Sequence, residues 1–79
     1  MNSLQERLER VFREVFDNER LAVTPELSQK SLDDWDSFAQ VKIVIGLEEE
    51  FGCKFTTDEV LQATTVGGWT ELLTQRGIE

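Results

Sequence analysis

The 79-residue chain contains no histidine, no tyrosine, one cysteine, one proline and only eight lysines and arginines. Without histidine, the side chain that most often serves as general base near neutral pH is missing, and so are the usual zinc ligand sets. There is no Cys–His pair, no glycine-rich phosphate cradle and no two-His metal motif, which argues against an enzyme. Cys53 has no second cysteine to pair with inside the chain, and a reducing compartment is the natural inference. No stretch approaches the roughly 20 apolar residues that span a bilayer, and the N-terminus lacks the apolar run of a signal peptide. These absences lead to the expectation of a cytoplasmic protein; a monomer is expected. A calcium loop starting at Asp34 also fails, because Ala39 stands where glycine is required and Ile45 where glutamate is required.

What the chain has in excess is acid. Sixteen Asp and Glu give a net charge of −8, which repels nucleic acid and anionic lipid and favours basic partners. Eight of the sixteen acids lie in residues 33–59, against Lys42 and Lys54. Hydrophobic residues make up 39% of the chain, including five Phe and two Trp, enough for one small core in a single domain over residues 1–79.

The periodicity reads as all-α. Ser3 to Glu6 forms a capping-box pattern ahead of Leu4, Leu8, Val11, Phe12, Val15 and Phe16, whose arc of about 140° fits an ordinary buried stripe. Asp17 to Trp35 shows no sustained period, so a long loop is expected, laid across the domain by Leu21, Val23, Leu27 and Leu32. A second helix should begin at Asp36-Ser37 and run to about Glu50, with Gly52 as its stop. Its apolar arc, about 220°, is wider than a small bundle uses. Either neighbours wrap this helix from two sides, or its Phe38, Val41 and Ile45 edge is left for a partner. Thr56 and Glu59 form another capping box, opening a short turn through Leu61. Thr64 and Thr65 offer caps for a last helix, striped by Val66, Trp69, Leu72 and Leu73. The expected architecture is a small four-helix bundle, three main helices and one short one, with a long first loop. Phe55, Val60, Leu61 and Trp69 are the candidates to line any interior cavity.

Ser37 stands out chemically. With Gln40 three residues on, it reads as a capping box, and a hydroxyl at a helix N-terminus meets free backbone N–H donors and the positive end of the dipole. That end favours a phosphodiester by about 0.3–1 kcal/mol, whereas Asp33, Asp34 and Asp36 oppose it, so any attachment there needs a transferase to drive it.

The run Asp36-Ser37-Phe38, Val41, Val44, Leu47-Glu48-Glu49-Glu50-Phe51-Gly52 closely resembles the acyl carrier protein family, whose signature is Asp-Ser-Leu at the head of the second helix. Thr57-Asp58-Glu59 and Thr64-Thr65-Val66 extend the resemblance, which spans residues 3–76. It implies that a phosphopantetheinyl transferase attaches 4′-phosphopantetheine from coenzyme A to Ser37, with Asp36 the acid beside it. The arm's thiol would then carry acyl or aminoacyl thioesters between partner enzymes. By the same resemblance Phe38, Val41, Lys42, Ile45, Glu48 and Glu49 form the face presented to partners with basic docking patches. Phe38 replaces the usual Leu, and Ala39 and Lys42 stand where fatty acid carriers commonly have acids. These departures, together with Trp35, favour a specialised standalone carrier in a dedicated pathway. The competing class is a carrier-fold interaction module that is never modified.

Overall fold

The computed structural model describes residues 3–77. Four helices follow in order: α1 (Leu4–Val15), α2 (Ser37–Phe51), α3 (Thr57–Gln62) and α4 (Val66–Gln75). The start of each is set by a side-chain cap that satisfies an otherwise orphaned backbone donor. Ser3 accepts from Glu6 N–H, Thr56 from Glu59 N–H in a reciprocal capping box, and Thr65 from Gly68 N–H. Helix α2 ends at Gly52, which takes the left-handed conformation at φ 64° and donates its N–H to Glu48 O. Glycine holds that geometry without the strain a Cβ would add.

One cap differs from the expectation. Asp36, not Ser37, is the N-cap of α2: its carboxylate accepts from Ala39 N–H at 2.9 Å, and Ser37 is the first helical residue. The expected Ser37–Gln40 capping box does not form: Gln40 N–H donates to Asp36 O at 2.9 Å instead of to the Ser37 hydroxyl, and its side-chain amide is engaged elsewhere. Two neighbouring residues were both competent caps, and the helix takes Asp36.

Leu8, Phe12, Ile43, Leu47, Val66, Trp69 and Leu73 are fully buried and form the centre of the core. Helices α1 and α2 pack closely because Gly46 removes a side chain at their crossing; a Cβ there would stand 2.9 Å from Val11 Cγ1. Polar links reinforce this pair. Arg7 Nε donates to Glu50 Oε2 at 2.8 Å, Arg7 Nη2 to Glu50 O at 2.7 Å, and Arg10 Nη2 to Glu50 Oε1 at 2.9 Å.

The long segment between α1 and α2 lies across the bundle as expected. Leu21 and Val23 are buried, and Leu27 and Leu32 pack against the core. Its backbone also completes another helix: Val66 N–H donates to Leu27 O at 2.9 Å and Gly67 N–H to Pro25 O at 3.0 Å. Those are first-turn donors of α4 that have no intrahelical acceptor. Gly67 fits this arrangement, since a Cβ would meet Pro25 O at 3.2 Å.

Helix α3 is held differently. None of its residues is buried, and Leu61, expected to line the interior, is 69% exposed. With only six residues, α3 turns Val60 toward the core and has too little length to bury a second side of itself. No described helix is long and apolar enough to cross a membrane.

Candidate functional site

The first turn of α2 is fixed from below by Trp35. This residue is 2% exposed and packs edge-on against Phe12, with centroids 5.4 Å apart at 73°, and against Phe16 at 6.1 Å. Its indole Nε1–H donates to Gln40 Oε1 at 2.7 Å. Gln40 in turn donates from Nε2 to Val60 O at 3.1 Å and Ala63 O at 3.2 Å, so a single amide ties the head of α2 to the end of α3. Neither residue was assigned this role from the sequence. The available signal was a lone large aromatic inside a run of acids, where an exposed Trp would be costly.

Above that anchor, Asp36, Ser37 and Phe38 are all exposed. Because Asp36 does the capping, the Ser37 hydroxyl is not consumed in holding the helix. Gln40 N–H makes the first helical bond, to Asp36 O at 2.9 Å, and Ala39 N–H is taken by the cap. That leaves the N–H groups of Ser37 and Phe38 as the orphan donors of the turn, beside the hydroxyl. An anionic group esterified to Ser37 would lie next to them, in the orientation the helix dipole favours.

The outer face of α2 continues from this point. Phe38, Val41 and Ile45 are 68%, 55% and 50% exposed, which decides between the two explanations of the wide apolar arc: no neighbour among the described residues wraps this edge. Lys42 and Glu49 are exposed on the same side. The Lys42 ammonium lies 4.6 Å from the centroid of the Phe38 ring. Ala39 points into the core, so of the departures at positions 39 and 42 only Lys42 alters the surface.

Glu48 sits apart from this group. Its side chain is 17% exposed; Oε2 accepts from Phe55 N–H at 3.0 Å and Oε1 stands 3.7 Å from Lys54 Nζ. Glu48 thereby closes the turn between α2 and α3. A shallow apolar groove of about 250 Å³ runs beside it between these helices, walled by Val41, Val44, Ile45, Phe55 and Val60. Trp69 is fully buried behind Phe55, with centroids 5.1 Å apart, and does not line that groove. Arg76 covers the other side of Phe55, 5.0 Å from its centroid, and pairs with Glu59.

Three carboxylate and thiol environments depart from the ordinary. Hydrogen bonds from Arg7, then Arg10, hold the Glu50 carboxyl below the usual glutamate range. The Thr56 backbone N–H, then Arg76, do the same for Glu59. Burial pushes the Cys53 thiol up, leaving it a poorer nucleophile than an exposed cysteine. None of these groups lies in the first turn of α2.

Comparison with known proteins agrees with this fold. Residues 3–73 match the family described as the phosphopantetheine attachment site. The fold matches the solution NMR structure of holo acyl carrier protein from Geobacter metallireducens with a TM-score of 0.80 and 31% sequence identity, over 86% of this chain and 78% of that one. A search of curated proteins returned no match. On the family match and the shared fold, the chain belongs to the acyl carrier protein family, and is a carrier for covalently attached 4′-phosphopantetheine, not a catalyst.

Proposed function

We propose that Ser37 is the residue that bears the 4′-phosphopantetheine arm, and that the chain is a cytoplasmic carrier of acyl or aminoacyl thioesters for a dedicated biosynthetic pathway. The observation that carries the assignment is the division of labour at the head of α2. Asp36 caps the helix, which leaves an exposed Ser37 hydroxyl beside two unpaired backbone donors. When bound, the arm supplies a terminal thiol able to form thioesters.

The chain's own residues do three things on this reading. Trp35 and Gln40 hold the attachment turn rigid, so that the arm swings from a fixed pivot. Asp34, Asp36 and Glu49 give partners an acidic approach, which raises encounter rates and weakens with salt. Phe38, Val41 and Ile45 supply apolar contact once a partner arrives. Lys42 supports the specialised pathway, since it reverses a charge on the face that partners meet.

The test is intact-mass spectrometry after incubation with coenzyme A and a broad-specificity phosphopantetheinyl transferase. The wild-type chain should gain one arm and Ser37→Ala none. A wild type that stays unmodified while a control carrier is loaded would overturn the proposal.

A further inference from the structure

Lys42 is a surface cation without an ionic partner in the most acidic part of the chain. The ion pairs among the described residues use Arg7, Arg10, Arg13, Lys54 and Arg76. Asp17, Asp34 and Asp36 share a small hollow with Lys42, yet none forms an ion pair with it. Instead the ammonium rests on the Phe38 ring, 4.6 Å from its centroid, while 68% of Phe38 remains exposed. The two residues are one helical turn apart and form a single knob, apolar at its centre and positive at its edge.

The position of this knob limits what can meet it. Phe38 follows Ser37 directly, so an enzyme acting on the Ser37 hydroxyl has to cover Phe38 and, with it, the stacked Lys42. A partner footprint of about 800 Å² is typical of protein interfaces and is a substantial part of the carrier's 5211 Å² surface. Seating Phe38 strips water from the ammonium, and a desolvated cation left unpaired is strongly unfavourable. A uniformly basic surface would add like-charge repulsion.

Resting on the assignment of Ser37 as the attachment residue, we infer that the phosphopantetheinyl transferase of the producing cell receives this knob in an apolar recess with a carboxylate at its rim opposite Lys42. Basic groups around that recess meet Asp34, Asp36 and Glu49. Lys42 is therefore a specificity-determining residue that selects a transferase of mixed charge and disfavours one whose docking patch is basic throughout.

The experiment measures kcat/KM for arm transfer from coenzyme A by that transferase, with wild-type, Lys42→Met and Lys42→Glu carriers, each checked for native helix content. Lys42→Glu should lower kcat/KM at least ~10-fold, with Lys42→Met in between. One Asp or Glu to Lys substitution on the transferase should restore the Lys42→Glu carrier and impair the wild type. Equal or faster transfer to Lys42→Glu, or no restoring substitution among the transferase's surface acids, would overturn the inference. So would Phe38-dependent dimers of the carrier in sedimentation, which would assign the knob to a second copy. The two readings fail separately: a wild type that receives no arm contradicts the Ser37 assignment, whereas an armed wild type indifferent to Lys42 contradicts only the inference.

Discussion

The two faces of α2 have similar chemistry and opposite fates. Inward, Ala39, Ile43 and Leu47 are buried and Gly46 meets Val11; outward, Phe38, Val41 and Ile45 stand half-exposed or more. The inner face is explained by folding alone, because its burial holds the bundle together. The outer face adds nothing to the core and, as an apolar patch beside the Ser37 hydroxyl, is assigned to a partner on the proposed reading. Composition therefore misleads on this helix unless each residue is assigned to its side.

The sharpest way to break this contrast is a pair of truncations. Ile43→Ala removes a fully buried side chain and should cost about 2–5 kcal/mol of unfolding free energy. Ile45→Ala, one turn-half away and 50% exposed, should shift stability by no more than about 0.5 kcal/mol. Chemical denaturation of both variants checks this, and comparable losses would mean that the outer face is structural. Gln40→Ala comes next. It leaves the buried Trp35 Nε1–H without its acceptor and frees Val60 O and Ala63 O, with an expected loss of about 1–3 kcal/mol. Hydrogen exchange should rise first in α3, which has few other attachments.

At the α1–α2 crossing, Gly46→Ala gains helix propensity but forces a Cβ against Val11. Overpacking outweighs the gain, for a net loss of about 1 kcal/mol. Val11→Ala in the same chain should recover part of it, and additive losses in a double-mutant cycle would contradict the contact. The last prediction concerns acid. Glu50 is held below its ordinary pKa by Arg7 and Arg10, so its contribution is complete above the usual glutamate value and is lost as pH falls through the depressed one. Glu50→Gln should cost about 0.5–1 kcal/mol near neutral pH and flatten the acid limb of the stability curve.

Local patterns in the sequence disclosed what local physics decides. The caps at Ser3, Thr56 and Thr65 and the stop at Gly52 each depend on a few consecutive residues, and all form. The wide apolar arc of α2 was visible too, but which part was spare depended on where the other helices lay. Long-range contacts were opaque. Asp36 caps α2 in place of Ser37, Gln40 is committed to Trp35 and α3, and Glu48 turns to Phe55 N–H to close a loop. Leu61 fell outside because α3 ends before a second turn can bury it. The carbonyls of Pro25 and Leu27 that complete α4 are backbone groups, for which no side-chain pattern gives a signal.

The central claim is that the exposed turn at Ser37 is where the carrier is armed. The direct measurement is intact-mass and fragmentation spectrometry on the chain purified from the cell that makes it. One 4′-phosphopantetheine group localised to Ser37 is the expected result; a chain unmodified throughout, or an arm found on any other residue, would contradict the account.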